Sequence, residues 1–79
     1  MAHQDIGPNQ HVTIRDAVRI TLSLQTGNEA TITAQQNNHS KQYSLSLQHK
    51  TDVIQTDEAG PIEVSMAAEF GSPQVRVAW

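Results

Sequence analysis

The sequence predicts an all-β protein: a small antiparallel β-sandwich or partly open barrel of about six or seven short strands, with an extended N-terminal arm. Three observations predict it. Apolar residues recur at every second position over most of the 79 residues, a period that lines one face of a strand and no face of a helix. Clusters of Gly, Pro, Asn and Asp interrupt the alternation at intervals of about 6–12 residues, the rhythm of a hairpin protein. No proline falls inside an alternating run, and proline is the residue a strand ladder tolerates least.

Residues 1–10 form the arm. Gly7, Pro8 and Asn9 interrupt regular structure, and Ile6 is the one sizeable apolar side chain after Met1, too little to order the segment by itself. Residues 11–79 form a single β-domain. Val12, Ile14, Val18, Ile20, Leu22 and Leu24 alternate with polar partners, and Asp16 breaks the series. Two strands follow, about 11–15 and 18–25, with a bend or bulge at Asp16. Ala30, Ile32 and Ala34 continue the even phase after Thr26-Gly27-Asn28. A three-residue loop at 26–28 keeps even opposite even, setting Leu24 against Ala30, Leu22 against Ile32 and Ile20 against Ala34.

Gln35-Gln36-Asn37-Asn38-His39-Ser40 has nothing to bury and reads as an exposed loop. Tyr43, Leu45 and Leu47 mark a strand over about 41–49, with His49 in the same phase. Val53 and Ile54 mark a shorter one over 51–56, ended by the turn residues Asp57 to Pro61. Residues 62–70 carry two signals. Pro61, Gly71 and the Ile62, Met66, Phe70 spacing suit a helix. Strict alternation of Ile62, Val64, Met66, Ala68 and Phe70 suits a strand and is the stronger pattern. Val75, Val77 and Trp79 form the last strand. A four-residue loop at 71–74 would pair Phe70 with Val75, Ala68 with Val77 and Met66 with Trp79, and place Glu69 opposite Arg76.

The composition excludes much chemistry. Cysteine is absent, which removes disulfides, thiolate metal sites and thiol nucleophiles. No Gly-x-Ser-x-Gly motif occurs, and the serines and threonines sit in ordinary strand contexts. Glu63 and Glu69 would lie about 20 Å apart at ~3.3 Å per residue, beyond either glycosidase geometry. The histidines at 3, 11, 39 and 49 form no metal-ligand pair. No catalytic residue, cofactor or metal is therefore expected. Nucleic acid is not an expected partner: the net charge is −3, and Arg15, Arg19, Lys41, Lys50 and Arg76 are dispersed. The three aromatics, Tyr43, Phe70 and Trp79, offer no stacking platform for bases or sugars. No membrane segment or signal peptide is visible, so the expected location is a virion or the cytoplasm.

What remains points to association with protein. Setting aside alanine and Met1, only twenty sizeable apolar side chains remain to build a core. Domains this small rely on disulfides, metals or oligomerisation, and of these oligomerisation is left. Gln, Asn, Ser and Thr supply 26 residues, while charged residues supply 16% against about 25% in ordinary domains. Such a surface suits close packing against neighbours, where each buried charge is costly. A small, cysteine-free, Thr/Gln/Asn-rich β-domain is similar in general character to phage capsid-decoration, tail or spike proteins. The expected function is a non-enzymatic structural module, a homo-oligomer within a larger assembly. The alternative is a monomeric binding or inhibitor module acting through loop 35–40. The predicted interface residues are Ile6 and Pro8 of the arm, Trp79 as an aromatic anchor, and Asn37, Asn38 and His39 of the loop.

Overall fold

The computed structural model describes residues 2–15, 19–56, 60–67 and 71–79. Its strands are β1 (His3–Ile6), β2 (Gln10–Ile14), β3 (Arg19–Thr26), β4 (Glu29–Gln36), β5 (His39–Ser46), β6 (Thr51–Gln55), β7 (Ile62–Met66) and β8 (Gln74–Ala78). They form two antiparallel four-stranded sheets that pack as a sandwich, in the orders β1-β8-β3-β6 and β2-β7-β4-β5.

One rule generates both orders. β1 pairs with β8, β2 with β7, β3 with β6 and β4 with β5. The chain is thus one long antiparallel ribbon, folded at its midpoint and rolled up. Rolling adds the β3–β8 and β4–β7 pairs. This is the topology of a double-sheet jelly roll. The tip of the ribbon is the Asn37-Asn38 turn, since Gln36 pairs with His39. At its open end Ala2 and Trp79 exchange backbone hydrogen bonds of 2.9 and 3.0 Å.

The core lies between the sheets. Ile20, Leu22, Leu24, Val75 and Val77 come from one side, and Ile14, Ile32, Leu45, Ile62, Val64 and Met66 from the other. Alternate residues of each strand face inward, as the pleat requires. Residues 62–66 show that alternation, with Ile62, Val64 and Met66 buried, so the strand reading holds there. Ala67 lies beyond the strand, and the rest of the 62–70 strand falls outside the described residues, as do Asp16 and the Glu69, Ala68 and Phe70 pairings.

Several expectations require correction. Among the described residues the strands number eight, because part of the arm is one of them: residues 3–6 pair with Arg76 and its neighbours, and Ile6 is fully buried. The segment is extended, but the edge of β8 supplies the hydrogen bonds it lacked in isolation. Neither predicted hairpin exists. β3 and β4 lie in different sheets, and so do β7 and β8. Apolar parity is satisfied in another way. Two strands that cross from one sheet to the other also turn their apolar faces toward each other, now across the core instead of side by side. Glycine 27, at φ 89°, makes the first crossing. A Cβ there would come within 2.9 Å of Pro73, which is buried in the second crossing. The 35–40 segment is not a loop but two strand ends and a two-residue turn. β5 also stops at Ser46, leaving Leu47 58% exposed.

Candidate functional site

Among the described strands, β4 and β5 are the one consecutive pair that stays in the same sheet. Asn37 and Asn38 both take the left-handed conformation, φ 49° and 68°. That is the signature of a type I′ turn, whose twist matches the strands it joins. Asparagine tolerates the conformation because its short amide bonds locally. Gln36 braces the tip against the other sheet: its amide nitrogen donates to Gly60 O at 3.0 Å, and its carbonyl accepts from Thr56 Oγ1 at 2.6 Å.

The inward face of β5 changes character along its length. Leu45 is buried, Tyr43 is half-buried against the core, and Lys41 and His39 are exposed. The opposite sheet explains the gradient, because β6 ends at Gln55 and leaves the hairpin tip overhanging. Beneath the overhang lies a groove of about 190 Å³ with Ala34, Ile54 and Ile62 among its lining. The Lys41 ammonium sits 5.3 Å from the Tyr43 ring centroid, within cation–π range. On the other flank of the turn, a shallower hollow of about 280 Å³ is lined by Asn37, Asn38, Pro61 and Glu63.

The free side of β5 offers a second kind of site. In a two-residue hairpin the residues flanking the turn form a hydrogen-bonded pair. Gln36 and His39 flank it, so His39, Lys41, Tyr43 and Leu45 direct their backbone groups to β4. Ser40, Gln42, Ser44 and Ser46 direct theirs outward. Ser46 is satisfied by His49, through mutual bonds of 3.0 and 3.1 Å. Ser40, Gln42 and Ser44 are exposed, and their outward backbone groups have no partner among the described residues.

The predicted interface residues do not form one site. Asn37, Asn38 and His39 gather at the hairpin tip, all exposed. Ile6 is core. Pro8 belongs to the turn between β1 and β2, where Gln10 N bonds Gly7 O at 3.1 Å and Asn9 has φ 63°. Proline followed by a left-handed residue is the type II pattern. Trp79 packs partly against the core beside the end of β1. Sequence reasoning missed Ser40, Gln42 and Ser44. Their strand did carry a signal, an inward phase fading from Leu45 to Lys41 and His39, which marks a strand outrunning its cover. The histidines are scattered over β1, β2, β5 and the bridge at residue 49. Among the described residues no three His, Asp or Glu side chains converge. No helix among them is long and apolar enough to cross a membrane.

No family model matches the chain, and neither a curated protein nor a solved structure matches it.

Proposed function

We propose that this chain is a non-enzymatic structural module that associates with itself and works within a larger protein assembly, such as a phage virion, as a decoration, tail or spike component. The observation that carries this reading is the open side of β5. Edge strands invite pairing, and proteins that remain single shorten them, charge them or cover them. β5 is eight residues long, and its one Lys, Arg, Asp or Glu is Lys41. The jelly-roll topology agrees, since viral capsid subunits use it. That agreement is an analogy of fold, because lectins and cupins use the topology too. The composition and the small core point the same way. A virion or the cytoplasm is the setting that suits it.

Sedimentation and light scattering test the proposal. The expected result is a defined oligomer, with a thermal midpoint that rises with protein concentration as mass action requires. A monomer whose midpoint is unchanged over a hundredfold dilution overturns it. A second reading then takes its place, supported by the groove beside Tyr43 and Lys41: a monomeric binding module that recognises its ligand with the 35–40 hairpin tip.

A further inference from the structure

We infer that β5 pairs with β5 of a second copy, antiparallel and centred on Gln42, so that two four-stranded sheets merge into one continuous sheet across a two-fold axis. The pairing rests on the self-association proposed above and names the surface that performs it.

Register decides which strands can meet. The outward-facing backbone of β5 is a bounded window. At one end it stops at the Asn37-Asn38 turn, whose left-handed residues leave the strand conformation. At the other it stops at Ser46, already bonded to His49. Between these limits stand Ser40, Gln42 and Ser44, spaced evenly about Gln42. A two-fold interface must be self-complementary, each residue finding its counterpart in the second copy. Centring on Gln42 sets Gln42 against Gln42 and Ser40 against Ser44 twice. Every outward group is then used, in roughly six new hydrogen bonds at two per pair. Sliding the register by one pair leaves one window residue of each copy without its opposite number.

Side chains select the same register. Centred on Gln42, Lys41 of each copy lies opposite Tyr43 of the other, extending the cation–π contact that Lys41 already makes within its own chain. The neighbouring register sets Lys41 opposite Lys41, and like charges directly opposite one another are destabilising. On the outer face the opposed side chains are Ser40, Gln42 and Ser44, uncharged and hydrogen-bonding. The register also brings the Asn37-Asn38 turn of each copy toward the exposed Leu47 of the other. Apolar surface is covered there without burying a charge.

The chain lacks cysteine, so an introduced one reports position cleanly. In the proposed register Gln42 Cα atoms of the two copies lie about 5.5 Å apart, a hydrogen-bonded pair spacing that a disulfide spans. Ser40 of one copy lies roughly 13 Å or more from Ser40 of the other, four residues along the strand. Under mild oxidation Q42C is expected to form a disulfide dimer. S40C and S44C are each expected to fail alone and to cross-link when mixed. In parallel, Q42P removes an N–H that faces away from β4, so the native ladder is retained. It is expected to weaken association by about thirtyfold, the loss of one backbone bond per copy, with the circular dichroism of the wild type. An oligomer that tolerates Q42P unchanged, or one in which the three cysteines cross-link alike or not at all, overturns the β5 pairing while leaving self-association intact. A wild-type monomer at every concentration overturns both. If Q42P does not fold, the cysteine pattern decides alone.

Discussion

The two far edges of this sandwich are built to opposite specifications. β1, at the edge of its sheet, has four residues. Its Asp5 meets Arg76 across the outer face, Nε to Oδ1 2.9 Å, and its sequel turns away through Gly7 and Pro8. Ile6 locks it to the core. β5, at the edge of the other sheet, has eight residues, a neutral outer face and an overhanging tip. The first edge is short, charged and ended by a proline turn, the devices that keep sheets from pairing. The second has one lysine. Within a single core of this size, the contrast locates where the molecule can accept another strand.

The deepest way to break the comparison is to remove the strand that holds β1. Val77 of β8 is fully buried between β1 and β3. Val77→Glu is expected to cost on the order of 4 kcal/mol or more, because a carboxylate would lose its water without gaining a partner. Urea unfolding measures the loss, and His11→Glu, at an exposed position of β2, should lose under about 0.5 kcal/mol in the same experiment. Equal costs would mean that the assigned faces are wrong.

Next in size is the anchor of the closed edge. Ile6→Ala should lower unfolding free energy by about 2–5 kcal/mol, the range for a buried Ile cut to Ala. A variant that unfolds at the same urea midpoint as the wild type would make β1 a dispensable arm.

A smaller effect separates the tip of the open edge from its body. Asn38 holds φ 68°, so Asn38→Val should cost about 1–2 kcal/mol, since a β-branched residue resists the left-handed conformation. Asn38→Gly should be close to neutral. Amide exchange in β5, followed by NMR, should accelerate in the first variant and not in the second.

The smallest effect concerns the Asp5–Arg76 pair. The hydrogen bond from Arg76 and its charge hold the Asp5 carboxyl below its ordinary value, against a smaller opposing effect of burial. A group whose pKa is lowered by folding adds stability above its unfolded pKa, near 3.9 for aspartate, and loses it as pH falls through the lower folded value. Both side chains are about two-fifths exposed, so water and salt screen the pair. Asp5→Asn should therefore leave the midpoint at pH 7 nearly unchanged and slightly flatten the acid limb of the stability profile. A large drop at pH 7 would show that the charge pair, and not Ile6, secures the closed edge.

Much of the architecture was legible along the chain. Val12 and Ile14, Ile20 to Leu24, Ala30 to Ala34, Ile62 to Met66, and Val75 with Val77 all point inward as their alternation requires. The weak Val53-Ile54 strand is present as β6. β1 was not legible, because His3 to Asp5 are polar and its order comes from a neighbour distant in sequence. Of the candidate site, the exposed tip at Asn37, Asn38 and His39 was readable from its lack of anything to bury. The edge at Ser40, Gln42 and Ser44 was not, because an open edge is a property of the backbone beside a missing neighbour, and the fading inward phase of Leu45, Tyr43, Lys41 and His39 marks only that the strand outruns its cover.

By itself the sequence determined which residues face the core and that those residues form strands, since a period of two is a local property of each segment. Only the tertiary structure decided which strands lie side by side. A side chain that points inward is satisfied equally by a hairpin partner and by a facing sheet, so hydrophobic pattern cannot separate them. That choice is made by backbone hydrogen bonds between residues far apart in sequence, such as Ala2 with Trp79 and Asn9 with Met66. Those bonds roll the ribbon into two sheets edged by β1, β6, β2 and β5, and among these described edges the open side of the eight-residue β5 is the longest.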